Sequence, residues 1–140
     1  MLSATTVGGI GEYITAASIA SLGWKVGLAQ QDALDLIAFN ENGSEFYRIQ
    51  VKSAQLSANG NRRPGYQFQN GSGRAKKILE PYKYDILAHC AINHRCCVFY
   101  ASHSVNQLTQ RYAPERFLDL SIEQESWNKA LEILRGVEGS

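Results

Sequence analysis

Residues 33–54, ALDLIAFNENGSEFYRIQVKSA, constrain this chain more than any other stretch. Two runs of alternating character flank Asn42-Gly43. That dipeptide tolerates the positive φ demanded by a two-residue type I′ turn, so the pattern predicts a β-hairpin. With such a turn, opposed positions sum to 85, and Asp35 lies directly across from Gln50. Opposed residues share a face of the sheet. Lys52, two residues on, points the same way. A carboxylate, an amide and an ammonium therefore converge on one side. The other side, Leu34, Leu36, Ala38, Tyr47, Ile49 and Val51, is apolar and suited to a core.

The rest of the chain supplies layers for that hairpin. Apolar residues at helical spacing (Ile10, Tyr13, Ile14, Ala17, Ala20) predict a helix from about Val7 to Leu22, capped by Thr5 or Thr6 and stopped at Gly23. Glu12 sits beside the apolar stripe, from where it can reach inward across a sheet. Gly8, Gly9 and Gly11 weaken a helix, which implies a close approach there, to a sheet edge, a second subunit or a phosphate. Trp24 to Ala29 reads as a strand. Gln55 to Gly73 is rich in Ser, Asn, Gly and Gln, with Tyr66 to Gln69 alternating as one strand. Arg74 to Leu79 reads as a helical turn, and Tyr84 to Ile92 and Cys96 to Ala101 as strands turning near Asn93-His94. Val105 to Arg111 reads as a short helix, and Ser121 to Leu134 as an amphipathic one. The sum is an α/β domain, a mixed central sheet flanked by helices, over residues 1–140. The length suits one core.

Net charge is only +1, but its distribution is uneven. From Arg48 to Lys83 the basic residues are Arg48, Lys52, Arg62, Arg63, Arg74, Lys76, Lys77 and Lys83, and the sole acid is Glu80. From Tyr112 onward acids outnumber bases. A basic middle beside an acidic tail suggests one face turned to a polyanion. In that middle, Arg62, Arg63, Arg74, Lys76 and Lys77 are the candidate DNA contacts. No stretch approaches the roughly 18 apolar residues of a membrane span. No signal peptide is read at the N-terminus, and Cys90, Cys96 and Cys97 read as buried, reduced thiols, so a cytoplasmic location is expected.

Asp35-Leu-Ile-Ala, the hairpin, Arg48-Ile-Gln-Val-Lys52-Ser, and Gly11-Glu12 on a preceding helix together resemble the PD-(D/E)XK nuclease superfamily. The order and spacing are most similar to the branch containing a cyanobacterial group I intron homing endonuclease, where (D/E)-x-K is written Q-x-K. Asp32 and Tyr84-Asp85 also fit that branch. The likeness covers roughly residues 7 to 101 and implies a restriction-endonuclease-like fold.

That resemblance implies a Mg²⁺ (or Mn²⁺) site. Asp35 would be the principal ligand, and Gln50 would offer its amide oxygen where most relatives carry a carboxylate. The Val51 carbonyl would add a ligand, and Glu12 would bind directly or through water. Lys52 would orient the attacking water or stabilise the charge developing on the phosphate. The implied activity is site-specific cleavage of double-stranded DNA. A Holliday-junction resolvase or an inactive DNA-binding protein of the same fold are the alternatives. One site per chain against two strands implies a homodimer or homotetramer. The glycine-rich helix start and the surface around Trp127 are the candidate contacts between copies.

Overall fold

The computed structural model describes residues 2–31, 34–58, 63–72, 77–78 and 83–138, with residues 30, 31, 72, 77, 78, 137 and 138 by backbone only. Asp32, Arg62, Arg74 and Lys76 lie outside the described residues.

Helix α1 (Ala4–Ser21) begins where Ser3, in extended backbone, accepts the Thr6 amide on its hydroxyl at 3.2 Å. Ser3 is the cap, rather than Thr5 or Thr6, because only its side chain stands outside the first turn. Gly23, at φ +95°, ends the helix as expected. The chain then forms β1 (Lys25–Gln31), β2 (Leu34–Phe39) and β3 (Phe46–Ala54).

The β2–β3 ladder pairs Leu36 with Ile49, Ile37 with Arg48, Ala38 with Tyr47 and Phe39 with Phe46. Every pair sums to 85. The turn itself differs from the two-residue form. Asn40 and Glu45 still pair (N–H to carbonyl, 3.1 Å), and the Gly43 amide closes on the Asn40 carbonyl at 3.0 Å. Residues 41–44 thus form a four-residue loop, with positive φ at Gly43 (+76°) and not at Asn42. The Asn40 carboxamide makes this loop preferable, donating to Ser44 and accepting from the Glu45 amide. Both loops centre between Asn42 and Gly43, which is why the register survives.

After β3 come β4 (Tyr66–Gln69), β5 (Gly71–Ser72), β6 (Lys77–Ile78), β7 (Ile86–Ala91), β8 (Cys96–Ala101), β9 (Thr109–Tyr112) and α2 (Ser121–Glu138). The main sheet runs β1-β2-β3-β7-β8. Among the described residues, only β3 and β7 pair in parallel. Asp85 secures that junction: its carboxylate takes the Arg48 amide at 2.7 Å and the Arg48 guanidinium at 3.1 and 3.2 Å.

Two segments differ from their sequence reading. Lys77–Ile78 is extended and pairs with Gly71–Ser72, not a helical turn. Thr109–Tyr112 is a strand paired with β4, not the end of a helix. In the second, pairing with a strand distant in sequence overrides weak local preference, whereas in the first the partner strand is a near neighbour in sequence. Buried Tyr66 and Phe68 need a neighbouring strand, and Tyr112 completes their packing.

The odd residues of β3 face α1 and α2. Leu36, Ala38, Tyr47, Ile49, Val51, Ile86, Ala88, Cys97 and Phe99 join Val7, Ile19, Trp127, Leu131 and Leu134 in one core. Each such large side chain contributes roughly 1.5–3 kcal/mol by leaving water. Trp127 is buried against Trp24 and Phe99, so it serves this core and not a surface between copies. On the other face, Ala54, Ala91, Cys96 and Val98 pack under Tyr66, Phe68, Tyr112 and Phe117. Cys96 and Cys97 do point to opposite faces, and all three cysteines are buried and free. No helix among the described residues is long and apolar enough to cross a membrane.

Candidate functional site

Backbone geometry assembles the site at the start of β2. Even residues of β3 bond toward β7, as the Arg48 and Ala54 carbonyls do. Odd residues bond toward β2. Continued one step past Leu36–Ile49, the register sets Asp35 opposite Gln50, and Asp35 Oδ2 accepts the Val51 amide at 2.8 Å. In extended backbone a residue's N–H and C=O project to the same side. The Val51 carbonyl therefore faces the Asp35 side.

Lys52 lies on the face of Gln50, and its Nζ donates to the Gly71 carbonyl at 3.2 Å. Burial lowers the Lys52 pKa, while Asp35 pulls it back up. The Asp35 pKa is raised by burial, against opposing contributions from the Val51 amide and Lys52. Glu12 is also raised, by burial and then by the charge of Asp35. Glu12 therefore lies within range of the Asp35 charge, while α1 itself packs on the opposite face of the sheet from Gln50 and Lys52. The helix sits close because a Cβ on Gly11 would fall 1.6 Å from Ser53 Oγ. Gly11 is thus the close-approach glycine, and its neighbour is β3. Gly8 and Gly9 have open space around them.

Three buried side-chain polar atoms among the described residues lack a partner: Gln50 Oε1, Ser53 Oγ and Trp127 Nε1. Only Gln50 belongs to the face of Asp35 and Lys52. It is 8% exposed. A buried acceptor without a donor costs roughly 1–3 kcal/mol. Two carboxylates that resist ionisation, one orphaned amide oxygen and one backbone carbonyl form an all-oxygen donor set, suited to a hard cation such as Mg²⁺. No cluster of three or more His, Cys, Asp and Glu side chains occurs among the described residues. A Mg²⁺ ion, which keeps several waters, needs only one or two carboxylates.

Beside this site lies a second polar cluster that sequence reading missed. His89 pairs with Lys52 across β3–β7 and is fully buried. The Gln107 carbonyl and Gln110 Oε1 take the two Asn70 Nδ2 protons at 2.8 and 2.7 Å. Asn70 Oδ1 is therefore an acceptor, and His89 Nε2, 2.6 Å away, carries the proton. His89 Nδ1 then accepts from the Tyr112 hydroxyl at 3.0 Å. The Tyr112 oxygen in turn accepts from Gln110 Nε2 at 3.2 Å and from the Tyr100 hydroxyl. Phe68 stacks on the imidazole, 4.3 Å between centroids. Burial, aided by Lys52, holds the His89 pKa at about 3. The network anchors Asn70, and so the adjacent Gly71 carbonyl that receives Lys52. No local signal in the sequence links His89 to Asn70 and Tyr112. The strand Thr109–Tyr112, hidden in an apparent helix, was the missing clue.

Asp35, Gln50, Val51 and Lys52 come together on β2 and β3, and Glu12 lies within range of the Asp35 charge. Of the basic candidates, Arg63 is exposed, and its carbonyl accepts from Arg111 Nη2 at 2.7 Å. Lys77 lies in β6.

No protein-family model matches the chain, and no curated protein matches it. Among solved structures, that of a bacterial homing endonuclease, I-Ssp6803I, is similar, with a TM-score of 0.67 and 16% identity over 80% of this chain and 79% of the other. At that identity the likeness is one of fold. The mixed five-stranded sheet flanked by two helices matches the fold of a homing endonuclease.

Proposed function

We propose that this chain is a Mg²⁺- or Mn²⁺-dependent endonuclease of double-stranded DNA, of the PD-(D/E)XK kind and site-specific in the manner of a homing endonuclease. The observation that carries the reading is Gln50 Oε1, buried and without a donor on the face of Asp35 and Lys52, with Glu12 within range of the Asp35 charge. The similar fold of a homing endonuclease supports it.

A divalent cation held there would neutralise phosphate charge and polarise the attacking water. Asp35, Glu12, Gln50 Oε1 and the Val51 carbonyl would hold it. The Val51 amide orients the Asp35 carboxylate. Lys52 Nζ, directed by the Gly71 carbonyl, has further protons to offer to the attacking water or a phosphoryl oxygen. Each chain carries one such site, so a double-strand cut would take a homodimer or homotetramer.

The test is cleavage of plasmid and linear duplex. The wild type should cut with Mg²⁺ and not with EDTA. Lys52→Ala and Asp35→Asn should each cut about a hundredfold more slowly or worse, with DNA binding largely intact. Wild-type rates in either variant would overturn the assignment. Preference for a four-way junction over linear duplex would identify a resolvase, and binding without cutting a DNA-binding protein.

A further inference from the structure

We infer that the two-stranded ribbon β4–β9 enters the major groove and reads base edges through Gln67, Gln69 and Arg111. This rests on the DNA reading above and deepens it.

The ribbon stands apart from the main sheet. Its inward side chains, Tyr66, Phe68 and Tyr112, are buried. Its outward ones are exposed, and the register sets Gln67 opposite Arg111 and Gln69 opposite Thr109. The outward face is thus two amides, a guanidinium and a hydroxyl, with no carboxylate and no apolar group. Arg is the residue that reads guanine O6 and N7, and Gln reads adenine N6 and N7. The major groove admits a two-stranded ribbon of this kind. Same-face neighbours along a strand are about 6.8 Å apart, or two base-pair steps of about 3.4 Å. The spacing suits reading alternate pairs.

The ribbon is also rigid where a reader must be. Arg111 Nη2 is tethered to the Arg63 carbonyl at 2.7 Å. A Cβ at position 65 would lie 2.9 Å from that same nitrogen, so Gly65 is what lets the guanidinium settle there. Below, the ribbon is fastened through Tyr112 and Asn70 to His89. Charge favours DNA as the occupant: Arg63 and Arg111 border one open cleft of about 390 Å³, with no acid among its lining residues. Finally, β4 leads through Asn70 directly to Gly71, whose carbonyl receives Lys52. Bases read by Gln69 would lie close to the phosphate presented to Lys52.

The experiment binds wild type, Gln67→Ala, Gln69→Ala and Arg111→Ala to a randomised duplex library, with Ca²⁺ in place of Mg²⁺, and sequences the bound fraction. Thermal melts check folding. Each variant should lose roughly 5- to 150-fold discrimination at one or two adjacent pairs, keeping preference elsewhere. The Gln variants should leave the salt slope unchanged. Profiles identical to wild type would overturn the inference. So would a uniform loss with the slope reduced by about 0.9 per substitution, the mark of a phosphate contact. A wild type that does not bind duplex, or binds with no base preference, overturns it too. If Arg111→Ala fails to fold, the two Gln variants decide. A wild type that selects sequences but cuts none with Mg²⁺ would sink the nuclease reading and leave this inference standing.

Discussion

Two polar clusters share one face of the sheet, side by side, and they are built on opposite rules. Around His89, each group has a matched partner: one carbonyl, Gln107, sets the direction of the bonds linking Asn70, His89, Tyr112, Tyr100 and Gln110. Around Asp35, the arrangement is incomplete. Gln50 Oε1 has no donor, and burial raises the pKa values of both Glu12 and Asp35, Glu12 further through the charge of Asp35. A closed network makes a platform. An open one stores unfavourable energy that a ligand can release. The two meet at Gly71, where the platform presents a carbonyl to Lys52.

The comparison breaks most visibly at Asn70. Asn70→Ala should cost about 3 kcal/mol of stability, since it strands the His89 N–H and Gln110 Oε1 and each buried orphan costs roughly 1–3 kcal/mol. A urea-denaturation loss well under that would mean the network is not the closed unit described.

Acid should pull the clusters in opposite directions. His89 titrates at about 3 in the folded chain against 6.5 for the free group. Between those values the unfolded chain takes up a proton that the folded chain refuses. The His89 contribution is therefore fully present above about pH 6.5 and lost as pH falls, by up to about 1.4 kcal/mol per unit. Asp35 and Glu12, with raised folded values, do the reverse and favour the folded chain as pH drops through their titration. Urea melts from pH 7 to 4 should show a steeper acid loss in Asp35→Asn and a shallower one in His89→Gln.

The smallest effect should also have the opposite sign. Gln50→Leu removes an unpaired buried oxygen at similar volume, and should raise stability by about 1 kcal/mol while abolishing cleavage. A destabilised variant would mean that Gln50 is satisfied in the folded chain and not awaiting a ligand.

Much of this was legible in the sequence because its causes are local. Alternation along residues 34–39 and 46–54 sorted the hairpin's two faces. The Asn42-Gly43 midpoint determined its register, even though Asn40 selected a longer loop than the dipeptide alone suggests. Helical spacing located both helices, and Gly8, Gly9 and Gly11 together announced a close approach that Gly11 alone of the three makes. What tertiary structure alone decided depends on partners far apart in the chain. Thr109–Tyr112 became a strand because Tyr66 and Phe68 required one. His89, ordinary in sequence, became the hub of a network once β7 set it beside Lys52 and folding brought Asn70 and Tyr112 to its two nitrogens. A sequence shows the period of a side-chain pattern, because the backbone repeats regularly. It does not show which distant atom will accept a given proton, because that depends on where the whole chain has packed.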